Sequence, residues 1–460
     1  MKNNIWILTE ERPKRNIIGK IIELYLNQKG IAGFINTIRI LPLIEREKFT
    51  FTYRISGLDC NKIGHVYLKI VSGKSSFVDY LVFEKKEEPT RNDTPIFVIE
   101  ETKTGDNESR NTGVFQRATK FSYVEYFYPK SKKIMLYNLK GNQKKWATDT
   151  NIFGTRCFLT NGVEIMGKEL GHDMKPWNNI EELISFKSKM RKPPKGNVPI
   201  EIIKHKDKIV ITGRLVKSER LSHDPNIGAL LLITNTLRNL GWKKRIIIEK
   251  HGLKQTMLTP KNKFIRVANR LNLELDNLLI PPSKNLLDYW YYDMKGEKIG
   301  TIFLHLLIEE FSTGVSIYEN HAGCERGYFI SNTGENITVQ KYTDKEKYKL
   351  GDYSQIVNLP DLTLIDINNK EIINIEGEMF QNVTKGIEQL EGFDAFENLY
   401  IKQYYPKYLN IRTVVLYGGS EKKKPIGKIS LLLNKSGDIL FSMNAPKLFL
   451  KAFSNLKQYW

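Results

Sequence analysis

The chain reads as a mixed α/β protein built from two similar repeats separated by a basic middle segment. Three observations predict this: helix-like apolar spacing alternates with short β-rich runs, four patterns recur in the same order at a nearly constant offset, and positive charge gathers between the recurrences. "NIIGKIIELYLNQKGI" and "EKIGTIFLHLLIEEFS" share an Ile-Gly opening at 18 and 299. "FVDYLVFEK" and "LPDLTLIDI" place Asp79 and Asp361 just ahead of an apolar run. "YVEYFYPKSKKIMLYN" and "YIKQYYPKYLNIRTVVLYGG" share an aromatic run, a Pro-Lys at 129 and 406, and a strand ending in Leu-Tyr. "TRCFLTNGVEIMG" and "KISLLLNKSGDILFS" read as a fourth matching pair of hairpins. The repeats run from about 16 to 168 and from about 297 to 443, which predicts three domains: 1–168, 169–296, and 297–460 with a C-terminal helix.

Each element follows from local chemistry. In the first repeat an amphipathic helix opens the order. A strand after Asp79, the turn "EEPTRNDTP", the strand "IFVIEETKT", the helix "TGVFQRATKFSYVEYFY" and the strand "KIMLYN" come next. "RKPPKGNVP" at 191–199 is a loop, because two prolines and a glycine interrupt regular structure. "EIIKHKDKIVITGRLV" has strand character, and "DPNIGALLLITNTLRNLGW" predicts a helix with Asp224 as N-cap, Pro225 in the first turn and Gly241 at its end. The second repeat gives a helix, "PDLTLIDI", the turn "NNKE", "IINIEGE", a helix over "VTKGIEQLEGFDAFENLYI" and the strand "RTVVLYG".

Composition narrows the function. The chain has 460 residues, 41% of them hydrophobic, and a mean hydropathy of −0.38, which fits a globular protein with room for several cores. No apolar run is long enough to span a bilayer and no signal-peptide core precedes the early charges, so a cytoplasmic protein without membrane contact is expected. Cys60, Cys157 and Cys324 lack CxxC spacing, the histidines form no HxH or HExxH, and no GxxxxGK[ST] occurs. Disulfide scaffolding, zinc chemistry and ATP use are therefore not indicated. The net charge is +20, with a net +14 over 181–270 and a net −7 over 361–400. A basic block of that size points to a polyanion partner, and double-stranded DNA is the expected one.

The acidic residues supply a chemistry for that partner. Side chains alternate along a strand, so Glu101 and Lys103 in "IFVIEETKT" share a face, and Asp79 on the preceding strand comes beside them. Two carboxylates at the end of a sheet suit Mg²⁺, which commonly keeps waters and phosphate oxygens as its other ligands, and a lysine supplies a cation to position a water. Asp361 and Glu376 sit on adjacent strands in the same way, with Glu378 in the place of the lysine. Glu23 on the opening helix, Gln116 and Arg117 on the helix after the motif, and Lys385 in the second repeat are further candidates beside these carboxylates.

Asp79, Glu101 and Lys103 in "VDYLVF" and "IEETK", with Pro360, Asp361, Glu376 and Glu378 in "LPDLTLID" and "NIEGE", resemble the PD-(D/E)xK nucleases, and among them the type II restriction endonucleases. The resemblance implies two restriction-endonuclease-like repeats, each a mixed central sheet flanked by helices. It implies Asp79 and Glu101 as metal ligands, Lys103 as the water-positioning base, and Asp361 with Glu376 as a second ligand pair. The chain departs from the pattern at Val78, where the motif has proline, and at Glu378. The implied activity is Mg²⁺-dependent, site-specific hydrolysis of double-stranded DNA by a monomer or dimer, both strands being cut by two sites in one chain, with a companion methyltransferase protecting the host. A structure-specific nuclease and a non-catalytic DNA-binding protein stand as alternatives.

Overall fold

The computed structural model describes residues 2–73, 76–102, 113–137, 148–167, 170–172, 174–191, 198–217, 220–221, 225–284, 288–292, 296–320, 326–330, 336–420 and 422–460. The architecture is mixed α/β, with several sheets flanked by helices, and it divides into two compact units. One comprises Met1–Asn4, Glu11–Val71 and Tyr292–Trp460; the other comprises Ile5–Glu10 and Ser72–Tyr291. These units cut across the expected partition, since residues 11–71 group with the last third of the chain and the basic middle groups with 72–168.

The reason lies in what each early element buries. The long strands Phe34–Glu45 and Lys48–Asp59 pair antiparallel, and the first packs on the helix Glu297–Phe311. Glu310 at the end of that helix has a buried side chain and accepts from the Ile40 amide at 2.9 Å and Arg39 at 3.1 Å, while Arg15 pairs with it at 2.9 Å. A buried carboxylate needs such partners, so these contacts tie residues 11–71 to this unit regardless of sequence distance.

In the unit containing 72–291, Tyr80–Lys85 runs antiparallel to Phe97–Thr102. The helix Gly113–Phe127 then crosses over, and Lys132–Tyr137 returns parallel to Phe97–Thr102. Phe97–Thr102 is buried at every position, as a central strand covered on both faces must be. The basic segment forms a four-stranded sheet: Ile202–Lys204 is antiparallel to Lys208–Thr212, which is followed in parallel by Arg245–Glu249 and Leu273–Leu275. The expected helix spans Pro225–Asn239, and Gly241, at φ +92°, follows it in a left-handed conformation that glycine tolerates. Asp224, and 192–197 of the expected loop, lie outside the described residues. Gly228 lets this helix press onto Gly113–Phe127, since a Cβ there would lie 1.7 Å from the Phe115 carbonyl oxygen.

The other unit holds a six-stranded sheet in the order Val315–Glu319, Leu362–Asp366, Glu371–Met379, Leu409–Tyr417, Ile429–Leu433, Ile439–Phe441. The first three are antiparallel, and Leu409–Tyr417 and Ile429–Leu433 continue in parallel. The single helix expected over 383–401 is two, Val383–Glu391 and Asp394–Tyr400, broken at Gly392 and Phe393. The C-terminal helix is Lys447–Tyr459.

Both units thus contain an antiparallel hairpin, a helical crossover and a strand parallel to the hairpin's second arm. The fourth expected pair does not match. Residues 155–160, expected as a hairpin strand, end the helix Asp149–Thr160, and Val163–Met166 then pairs parallel to Lys132–Tyr137. Phe153 and Cys157 recur at helical spacing into the core beside Phe158, and Thr148 caps the helix by accepting from the Asn151 amide. Ile429–Leu433 and Ile439–Phe441 form the expected hairpin.

Candidate active site

The strand registers decide which carboxylates meet. Tyr80 lies opposite Ile99 and Leu81 opposite Val98, so one further step brings Asp79 opposite Glu100. The Asp79 amide donates to Glu100 Oε2 at 3.3 Å, and the Glu101 amide donates to Asp79 Oδ2 at 2.7 Å. Glu100 therefore shares Asp79's face, and strand alternation turns the buried Glu101 side chain the other way. The structure brings Glu100, rather than the expected Glu101, beside Asp79. Lys103 lies outside the described residues.

The cations at this cluster come from the crossover helix Gly113–Phe127. Lys120 Nζ lies 2.6 Å from Glu100 Oε1 and 3.4 Å from Asp79 Oδ1, and Arg117 Nε lies 3.9 Å from Glu100 Oε1. Three residues along a helix place both on one side. Burial, reinforced by the Asp79 charge, pushes the Glu100 carboxyl up to about 8 although Lys120 and Arg117 pull it down. Burial alone depresses the Lys120 ammonium, but Glu100 and Asp79 overturn this and hold it above its ordinary range. Gln116 is exposed.

The second cluster repeats the backbone geometry. Leu362 lies opposite Ile375, so Asp361 comes opposite Glu376, and the Gly377 amide donates to Asp361 Oδ2 at 3.0 Å just as Glu101 does to Asp79. Glu378, two residues on, shares the face of Glu376 and is paired with Lys385 of the helix Val383–Glu391 at 2.5 Å. Glu378 Oε2 also accepts from the Met379 amide at 3.2 Å and from Asn382 at 3.3 Å. The structure therefore brings Asp361, Glu376, Glu378 and Lys385 together.

Charge accumulates here. Burial pushes Asp361 up to about 6, with Glu297 and Glu378 adding to the rise against the Gly377 hydrogen bond and Lys298. Burial, Asp361 and Glu378 push Glu376 up to about 8. Glu376 is 8% exposed, and among the described residues no donor bonds to its carboxylate. The bond to Glu378 is the main cause that raises Lys385.

Glu297, the first residue of its helix, is the acid that sequence reasoning missed. Gly377 lets the first turns of this helix pack on the strand, because a Cβ there would lie 2.6 Å from Thr301 Cγ2 and 2.9 Å from the Glu297 carbonyl oxygen, and the Glu297 charge acts on Asp361 and Glu376. The expected helix acid Glu23 is exposed on Arg15–Lys29, which belongs to the other unit from Asp79. An open pocket adjoins Asp361, lined by Lys298, Thr301, His305, Arg12 and Glu319.

Among the described residues, no three His, Cys, Asp or Glu side chains converge as a group that could hold a metal ion. A cation at either cluster would thus rest on two protein carboxylates, the number Mg²⁺ commonly uses alongside waters and phosphate oxygens. The donor set fits in chemistry: hard oxygens, neighbouring like charges, and in Glu376 a buried carboxylate lacking a hydrogen-bond donor among the described residues. Comparison with protein-family models, curated proteins and solved structures finds no match to this chain.

Proposed function

We propose that the protein is a Mg²⁺-dependent endonuclease of double-stranded DNA, of the PD-(D/E)xK type and with the site specificity of a type II restriction enzyme. The observation that carries the reading is the repeated cross-strand Asp/Glu pair with a backbone amide bound to the Asp, at Asp79–Glu100 and at Asp361–Glu376, each with a helix lysine close by: Lys120 on Glu100 itself and Lys385 on Glu378, two residues beyond Glu376. Fold alone would not carry it.

In this reading the carboxylate pairs hold Mg²⁺, which when bound supplies charge stabilisation to the scissile phosphate and acidifies a water. The chain's own groups do the rest. The Glu101 and Gly377 amides fix the Asp carboxylates so that one oxygen of each stays directed at the site. Lys120 and Lys385 are held charged by their carboxylate partners, so each acts as a fixed cation that orients a water and offsets negative charge, rather than as a proton acceptor. Lys298 lines the pocket beside Asp361, where it can meet a DNA phosphate.

Part of the basic charge is structural. Arg238 donates to the carbonyls of Leu271, Trp242, Lys244 and Asn272, and Arg266 is buried beneath Tyr126 at 4.7 Å. Lys206, Lys243, Lys250 and Lys254 are exposed and remain for phosphate contacts.

The test is incubation of purified protein with unmethylated phage DNA in Mg²⁺ and in EDTA, followed by electrophoresis. Sharp, reproducible fragments in Mg²⁺ alone support the proposal. A mobility shift without cleavage refutes it and leaves a DNA-binding protein with nuclease-like repeats; cleavage that follows junctions or flaps leaves a structure-specific nuclease.

A further inference from the structure

The two clusters share a backbone plan and differ in what neutralises them. At Asp79 and Glu100, two carboxylates face Lys120 and Arg117, and Lys120 Nζ contacts both acids. At the other cluster Asp361 and Glu376 lie under the negative charges of Glu378 and Glu297, offset by Lys298 near Asp361 and Lys385 near Glu376. Lys385 is committed to Glu378, with its side chain 61% exposed, and so is screened by water from the rest. The Glu376 residue is 8% exposed, its carboxylate oxygens keep contact with solvent, and no donor among the described residues bonds to them. An ionised carboxylate in that position is costly unless a cation or a proton joins it.

We propose that the protein fills its two clusters unequally: the Asp361–Glu376 cluster takes a divalent cation first and without DNA, while Lys120 and Arg117 compete with a cation at Asp79–Glu100. The proposal rests on the reading that both carboxylate pairs are cation sites. It goes beyond that reading by making the helix cations the feature that sets occupancy. Lys120 bridges the two acids that would otherwise receive the ion, so a cation there must displace or repel an ammonium group already in contact with them.

The test is titration of the full-length protein with Mn²⁺ in the absence of DNA, following free Mn²⁺ by electron paramagnetic resonance. Wild-type protein should bind one Mn²⁺ tightly and a second much more weakly. Glu376→Gln should weaken the tight site about a hundredfold, and Asp361→Asn should do the same. Glu100→Gln should leave the tight site within about threefold, and Lys120→Gln should strengthen the second site about tenfold or more. Circular dichroism of each variant checks that the fold persists. Loss of the tight site in Glu100→Gln with retention in Glu376→Gln overturns the proposal, as do equal losses in both or no Mn²⁺ bound by wild type at millimolar concentration. The nuclease reading fails separately: this binding pattern in a protein that cuts no DNA keeps the inequality and removes the activity, whereas cleavage with two equivalent Mn²⁺ sites does the reverse.

Discussion

Replacing Glu376 by glutamine should make the metal-free protein more stable at pH 8 and leave it unchanged near pH 4.5. Folding raises this carboxyl from an ordinary 4.5 to about 8, so between those values the folded state holds a proton that the unfolded state has released. Stability contributed by a raised carboxyl is therefore complete below about pH 4.5 and falls as pH climbs through the window, reaching its full deficit above about pH 8. At about 1.36 kcal/mol per pKa unit the ceiling is about 5 kcal/mol. Asp361 and Glu378 share the repulsion, so part of that ceiling belongs to them, and the expected gain for Glu376→Gln is about 2–3 kcal/mol at pH 8. For a unit of this size that corresponds to a rise in Tm of about 4–12 °C. The assay is thermal unfolding in EDTA at pH 4.5 and pH 8, repeated at pH 8 with Mg²⁺, which should stabilise wild type and not the variant. A variant less stable than wild type at pH 8 in EDTA, or an equal effect at both pH values, would refute the assignment of Glu376 as an uncompensated buried carboxylate.

Other consequences are direct. Glu100→Gln should lower cleavage by one site at least about a hundredfold and convert supercoiled plasmid mainly to nicked circles, while Glu101→Gln should retain linear product, because only Glu100 faces Asp79. Plasmid nicking assays separate the two, and nicking confined to the Glu101 variant would reverse the register argument. Gly377→Ala should destabilise the protein by about 1–3 kcal/mol in urea unfolding, since its Cβ would meet Thr301 and the Glu297 carbonyl. Joint replacement of Lys206, Lys243, Lys250 and Lys254 by alanine should weaken DNA binding for all sequences alike and flatten the slope of log affinity against log salt by up to about 3–4. An unchanged slope in a filter-binding titration would remove those lysines from the interface.

Much of the local structure was legible because it rests on local physics. The apolar spacing of Arg15–Lys29 and Glu297–Phe311, the short turn before Glu371–Met379, and Gly241 after Pro225–Asn239 all follow from side chains a few residues apart. Asp79, Asp361 and Glu376 were legible as candidates because an acid at the edge of an apolar strand stands out. The choice of Glu101 over Glu100 shows the limit. A one-residue change of register moves every side chain to the opposite face, and the long turn before Phe97 conceals the register from a linear reading. A signal was present: aligning Ile99-Glu100 with Ile375-Glu376 equates the residues that the two hairpins place alike. Residues 155–160 failed for another reason, since a short apolar run fits a buried strand and a buried helix equally well.

By itself the sequence determined the mixed α/β class, the order of the elements around Asp79 and around Asp361, the hairpin and crossover pattern at each, and the acidic residue types that a cation-dependent reaction would need. Those properties depend on periodicity, turn chemistry and composition, which act over a few residues. The tertiary structure alone decided which acid faces which, that Lys120 and Lys385 supply the cations from crossover helices, that Gly377 lets the first turn of the helix Glu297–Phe311 lie against the strand carrying Glu376, and that residues 11–71 belong with 292–460. Each of these depends on strand register or on contacts between residues far apart in the chain, where burial of apolar faces and pairing of buried charges outweigh local preference.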